Sequence, residues 1–241
     1  MQPLHILFIL AVGVAAGFIQ RVSGFGLAIF AMMLLPYFTP THTAAVAIAC
    51  LMSSATTTFN TLRYRRGIDY RMALPMLCTA LLTIPVAVYF SSVVSGRIFS
   101  VLLGVVLIAL STYFLFFFDR IKLRPTISGA LATGAVSGVL GGLFSTSGPP
   151  VVLYMSNTAR DNATYFATIQ FYFCVTNLYS TLMRAASGII DLDVLTYAAV
   201  GIVGCMAGDL LGGRVFDSLD SDKLKRIIYI GMIVSGIIML F

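Results

Sequence analysis

Two short runs of small residues carry most of the chemistry this sequence can offer. Ser23-Gly24-Phe25-Gly26 and Ser145-Thr146-Ser147-Gly148-Pro149-Pro150 each interrupt long apolar sequence. Ser145, Thr146 and Ser147 are hydroxyl donors, and the chain entering the short apolar segment after Gly148 offers free N–H groups at the positive end of a helix dipole. Glycine lets backbone approach a ligand closely, and Pro149 or Pro150 is tolerated in a first helical turn, where no N–H is needed. Facing breaks of this kind would hold an oxyanion with little formal charge, through Ser23, Gly24 and Gly26 on one side and Ser145, Thr146, Ser147 and Gly148 on the other. Hydroxyls that only cap the short helix are the simpler alternative.

Arg21 precedes the first break, far from any loop that could solvate it. A charge at that depth costs roughly 2.5–3.5 kcal/mol on insertion scales, so it faces a cavity or a partner. Its planar fork matches the oxygens of an oxyanion. An ion pair with Asp209, or a side chain snorkelling to a nearby surface, competes with that reading. Gln170 and Asn177 are seven residues apart and share one helix face, which predicts pathway lining. An earlier polar cluster, Ser53, Ser54, Thr56, Thr57, Thr58 and Asn60, consists mainly of hydroxyls expected to bond to the preceding helical turn. Asp209 interrupts Gly204, Gly208 and Gly212, whose four-residue spacing predicts a close-packed helix face. It is a candidate coupling carboxylate; pairing with Arg21 or Arg214 is the alternative.

The elements that must position these residues are membrane helices. Hydrophobic residues make up 59% of the 241, charged residues 10%, and mean hydropathy is +0.98, which excludes a soluble core. Apolar stretches run over 4–19, 27–38, 44–62, 72–90, 98–118, 127–144, 150–155, 163–183, 194–211 and 224–241. A span needs about 20 residues, and 27–38 and 150–155 are too short. Each follows one of the breaks. Backbone freed there must be buried in protein or line a cavity, so a re-entrant hairpin is predicted at each. With hairpins, 12 cations fall inside (Arg63, Arg65, Arg66, Arg71, Arg120, Lys122, Arg124, Arg160, Arg214, Lys223, Lys225, Arg226) against Arg97 and Arg184 outside. If each broken region crosses once, the division is 8 to 6, so the positive-inside rule favours hairpins. Each half then makes an odd number of crossings and the second enters inverted, a recurring design of secondary transporters. The predicted fold is all-α integral membrane: two inverted-topology repeats, 1–120 and 121–241, in a single membrane domain, each with one re-entrant (broken) helical hairpin plus three transmembrane helices. The breaks recur at an offset of 122 residues, and Gly104 and Gly231 hold similar places in the last span of each half.

The segments AGFIQRVSGFGLAIFAMMLLP (16–36) and SGVLGGLFSTSGPPVVLY (137–154) resemble the twin Gly-rich signatures of the TauE/SafE family of sulfite and organosulfonate exporters. The second signature is often richer in glycine in that family; here it reads Ser-Thr-Ser-Gly-Pro-Pro. The resemblance covers essentially the whole chain. It implies export of a small sulfur-containing oxyanion, such as sulfite or sulfoacetate, from a bacterial inner membrane by alternating access.

An interior-negative potential favours anion exit by about 2.3 kcal/mol per charge per 100 mV, and import of a small anion is the alternative direction. Cys50, Cys78, Cys174 and Cys205 show no CxxC spacing, so neither disulfides nor a zinc site is expected; a cysteine-dependent sulfur-handling protein is the rival from another class. No HExxH, Walker or triad pattern is present, so neither catalytic residues, cofactor nor metal is expected. Residues 1–17 lack a Lys or Arg and are read as mature protein. The net charge of +6 is explained by cytoplasmic loops facing anionic lipid, without nucleic acid. The expected partners are a small anionic substrate and membrane lipid, with a homodimer left open.

Overall fold

The computed structural model describes residues 3–116, 126–215 and 221–240, and these are helical with short turns. The helices are α1 Pro3–Ser23, α2 Leu27–Leu34 with a 3-10 turn Leu35–Tyr37, α3 His42–Tyr64, α4 Tyr70–Val93 and α5 Gly96–Phe116. After them come α6 Ile127–Phe144, α7 Gly148–Thr158, α8 Asn162–Ala186, α9 Leu192–Val215 and α10 Ser221–Leu240. Side-chain caps start several of them. Thr41, Asp69, Thr126 and Asp161 each accept a backbone N–H from the first turn of α3, α4, α6 and α8. Helix α7 begins before its apolar run because Pro149 and Pro150 occupy its first turn.

Six helical segments among the described residues are long and apolar enough to cross a bilayer: His5–Ser23, His42–Gly67, Tyr70–Val93, Gly96–Phe116, Ile127–Phe144 and Leu192–Arg214. At 25 residues α8 reaches about 37 Å, also enough to span, but its polar side chains are turned inward. The burial pattern is that of a membrane protein. Ser53, Thr57, Asn60, Gln170, Asn177 and Arg184 are buried, while Leu82, Val86, Leu182 and Leu192 are exposed on the outer surface. An apolar exterior of that extent requires lipid.

Glycine seams fix the packing. Helices α1 and α9 run parallel, Gly13 against Gly201 and Gly204, and Gly17 against Cys205. The predicted face is there: a Cβ on Gly204 would sit 2.5 Å from the Leu10 carbonyl oxygen, and one on Gly208 would overlap the Val14 carbonyl. Helices α4 and α6 form a second parallel pair, with Gly134 at Met76, Gly138 at Ala80 and Gly142 at Ile84 and Ala87. Thr79 and Thr83 of α4 donate across it to the carbonyls of Leu131 and Ala135, at 2.8 and 3.3 Å. Helix α5 runs antiparallel to α10, Arg97 reaching the Leu240 carbonyl at 2.7 Å and Gly104 meeting Gly236. Helices α3 and α8 cross antiparallel at the centre, where Thr181 bonds to Cys50 and Ser54, and Thr58 to Cys174.

In each broken region one contact joins the segment after the break to the start of the helix before it. Phe38, just after α2, stacks on Phe8 near the start of α1 with ring centroids 3.6 Å apart. Tyr154 of α7 donates to the Thr126 carbonyl, at the start of α6, at 3.0 Å. One charge differs from its sequence reading. Arg184, counted there as an external loop cation, lies in the last turn of α8 and is fully buried, with the end of α6 at Gly142 and Cys50 of α3 against it. The cations at 120, 122 and 124, and the repeat boundary between 120 and 121, lie outside the described residues, as do the side chains of Lys223, Lys225 and Arg226.

Candidate functional site

The two breaks meet. A Cβ on Gly148 would stand 3.3 Å from the Phe25 ring and 3.7 Å from Phe173, so the tips touch at that glycine. Beside the contact is a cavity of about 30 Å3, lined by Gln20, Phe25, Gly26, Ala28 and Ile29 of the first broken region and Ser145 to Gly148 of the second. Ser53 and Thr57 of α3 and Phe173 and Asn177 of α8 complete the wall. No charged side chain lines it.

Helix α8 braces both breaks. Gly24 and Gly26 adopt φ of 78° and 105°, values that glycine alone takes without strain. Gln170 Nε2 donates to the Gly24 carbonyl at 2.8 Å. Gln20 Nε2 donates to Gln170 Oε1 at 3.4 Å, and Gln20 Oε1 accepts from the Leu27 N–H at 3.2 Å, capping α2. Two residues on from Gln170, the Tyr172 hydroxyl donates to Ser137, whose own hydroxyl donates to the Ser147 carbonyl, at 3.0 and 2.7 Å. The first tip is thus held at the Gly24 carbonyl and the Leu27 N–H, and the second at the Ser147 carbonyl.

Ser145 takes a left-handed conformation, φ 59°, and its N–H closes α6 on Gly141 at 2.9 Å. The hydroxyls of Ser145, Thr146 and Ser53 are buried without a hydrogen-bond partner. Leaving a buried hydroxyl unpaired costs about 1–3 kcal/mol, so three around one cavity call for a ligand or water that supplies acceptors. The N-terminal turns of α2 and α7 open onto the same space. Unpartnered hydroxyls and two positive dipole ends, without a carboxylate, are complementary to negative charge.

Of the residues singled out in the sequence, Gly26, Ser145, Thr146, Ser147, Gly148 and Asn177 line this cavity. Ser23 bonds to the carbonyls of Ile19 and Phe25, and Gly24 and Gln170 form the brace. Arg21 lies elsewhere. Helix α1 is 21 residues long, so Arg21 reaches the far end of α3, where its Nη1 donates to the Tyr64 hydroxyl at 2.8 Å and its guanidinium lies 5.6 and 5.9 Å from the Tyr64 and Phe166 rings. Thr57 and Tyr64 are seven residues apart on α3, which puts Arg21 about 10 Å from the cavity along the axis. Tyr64 opens onto a vestibule of about 480 Å3 lined also by Arg63, Arg65 and Arg66. Asp209 is buried one turn from the cavity level: Asn60 Nδ2 donates to it at 3.5 Å, and among the described residues neither Arg21 nor Arg214 pairs with it. Sequence reasoning passed over Gln20 and discounted Ser53 and Thr57. The signal for Gln20 was a lone amide in an apolar helix, one turn before Gly24.

The profile of the family described as sulfite exporter TauE/SafE matches residues 9–239. The chain is 25% identical over 230 residues to a probable sulfite/organosulfonate exporter TauE of Cupriavidus necator, covering 89% of this chain and 86% of that protein. No solved structure matches the chain significantly. The family is one of membrane transporters and not of enzymes, in keeping with six helices able to span a bilayer and a multi-pass membrane location. The chain belongs to the sulfite exporter TauE/SafE family.

Proposed function

We propose that this protein exports a small sulfur-containing oxyanion, sulfite or an organosulfonate, across a bacterial inner membrane, binding it between the two broken-helix tips and alternating access to that site. The observation that carries the reading is the set of unpartnered hydroxyls of Ser53, Ser145 and Thr146 around an uncharged cavity at two helix N-termini. The related C. necator protein, named a probable sulfite/organosulfonate exporter, supplies the substrate class.

Two inverted repeats, 1–120 and 121–241, are supported by the packing. Exchanging α1–α5 with α6–α10 carries the α1/α9 pair onto α6/α4 and the α3/α9 pair onto α8/α4, and leaves α3/α8 and α5/α10 in place. Both self-paired couples are antiparallel, as inversion requires. Re-entrant hairpins are supported by the Phe8–Phe38 stack and the Tyr154–Thr126 bond. Cysteines introduced at Ser92 and Ser187 will then label from outside, and ones at Gly67 and Ser221 only once the inner face is opened. External labelling at Ser221 with internal labelling at Ser187 refutes this topology.

In this arrangement Arg21, Arg63, Arg65 and Arg66 collect anions at the cytoplasmic mouth, and Asp209, held by Asn60 beneath the cavity, is the coupling carboxylate. Arg21→Ala is expected to lower transport several-fold at low salt and less at high salt, since exposed charge is screened within about 8–10 Å. An effect independent of salt would assign Arg21 to the site itself. None of the cysteines lines the cavity, so a cysteine-free protein should still transport. The direct test is binding: sulfite or sulfoacetate at 100 times its dissociation constant should stabilise the purified protein by about 2.7 kcal/mol. If no anion of this class shifts the unfolding midpoint, the reading fails.

A further inference from the structure

The buried guanidinium of Arg184 has no role in the site described so far. It is fully buried; Nη2 donates to the Gly142 carbonyl, three residues before the second break, and the Cys50 side chain of α3 lies against the guanidinium. Nε and Nη1 have no partner, and no carboxylate pairs with it among the described residues. Guanidinium stays charged under all ordinary conditions, so this is a cation enclosed without a counter-ion, an arrangement that costs several kcal/mol unless an anion completes it.

Its position relative to the cavity is fixed by α8. Asn177, which lines the cavity, shares a helix face with Ser180, Thr181 and Arg184, so the arginine stands about 10 Å further along the axis. Side chains lean toward a helix N-terminus, so the guanidinium points back toward the cavity. The Ser180 hydroxyl between them is also buried and unpartnered. On the facing helix α3, Cys50 lies beside Arg184 and is one turn from Ser53 of the cavity wall. Unpaired donors therefore continue from the cavity to Arg184 in one direction. In the other, α3 leads through Thr57 to Asn60 and the Asp209 carboxylate. The cavity thus lies between an anion on the cytoplasmic side and a cation on the external side.

We propose that Arg184 forms a second anion subsite between the central cavity and the external face, taking the same class of ligand as the cavity, a small oxyanion, on its way out. The inference rests on the orientation proposed above, in which the C-terminal end of α8 is external. Asp209 repels the anion from the inner end while Arg184 draws it outward. Movement of the second hairpin tip would break the Gly142 contact and free a further donor.

Cys50 is a native reporter for this subsite. In protein with Cys78, Cys174 and Cys205 changed to alanine and reconstituted in vesicles, Cys50 is reacted from the external side with two methanethiosulfonates, the anionic ethylsulfonate and the cationic trimethylammonium. Relative to their rates with a free thiol, the anionic reagent should be favoured about tenfold or more, as a focused positive site requires. Arg184→Gln should remove that preference, and isethionate in the external medium should slow the anionic reagent in the arginine protein. Should the glutamine variant not fold, Arg184→Lys serves: it keeps the charge preference and weakens protection by isethionate, because ammonium lacks the unpaired guanidinium donors. A wild-type ratio equal to that of the free thiol, a ratio unchanged in Arg184→Gln, or failure of Cys50 to react from outside overturns the subsite. These readouts do not depend on the cargo of the central cavity. Loss of the sulfite-induced stabilisation with the ratio preserved refutes the cavity, and the converse refutes Arg184.

Discussion

Gly148→Val will abolish the stabilisation that sulfite or sulfoacetate gives the folded protein, about 2.7 kcal/mol at 100 times the dissociation constant, while leaving a folded chain. Position 148 has no positive φ, so a side chain brings no backbone strain there. What it meets is Phe25 at 3.3 Å and Phe173 at 3.7 Å, and branching at Cβ drives methyl groups between the two tips and into the cavity. Thr146→Val tests the same site from the other side. Its hydroxyl is buried without a hydrogen-bond partner, so an isosteric methyl should raise stability measured without anion by about 1–3 kcal/mol and weaken anion binding by the 0.5–1.5 kcal/mol typical of one neutral hydrogen bond. Opposite signs in unfolding and binding mark a group kept for its ligand. If Thr146→Val lowers stability and leaves affinity unchanged, the hydroxyl is structural; if Gly148→Val retains the full ligand-induced shift, the anion does not bind at the tips.

How far the sequence led can be traced through individual residues. The breaks were legible because hydrocarbon cannot satisfy freed backbone, so small polar residues inside an apolar run have few structural outcomes. The Gly204, Gly208 and Gly212 face was legible for a similar reason: close helix approach leaves a periodic mark. Depth was not legible. Arg21 neighbours the first break in sequence, yet α1 is long enough to carry it to the vestibule, and only the lengths of α1 and α3 together set that level. Arg184 was misjudged through the same gap, since a residue near a helix end reads as a loop charge until neighbouring helices are known to cover it. Gln170 and Asn177 share a face, but the crossing of α8 over the first break assigns one to the brace and the other to the cavity. Periodicity gives the face and tertiary packing gives the neighbour.

Gly208→Ala should be among the most damaging single-methyl changes in the protein. The added carbon would overlap the Val14 carbonyl and lie 2.8 Å from the Phe18 backbone nitrogen, so relief requires α1 and α9 to move apart. Overpacking of side chains alone costs about 1–3 kcal/mol, and a clash with backbone on a seam of this length should cost at least that much. Because α1 leads into the first break, the separation will also disturb the cavity. Gly188→Ala is the control. Its φ of 70° imposes the roughly 1–2 kcal/mol of a left-handed non-glycine residue, but nothing lies within 4 Å of the new carbon. The unfolding midpoint should fall modestly for Gly188→Ala, with anion binding intact, and steeply for Gly208→Ala, with binding reduced. Gly17→Ala overlaps Cys205 on the same seam, and once the helices have parted for one methyl the second meets less resistance. The double variant should therefore be destabilised by clearly less than the sum of the single changes. Additive losses, or a Gly208→Ala protein with the wild-type midpoint, would show that α1 and α9 are not packed backbone to backbone along this line.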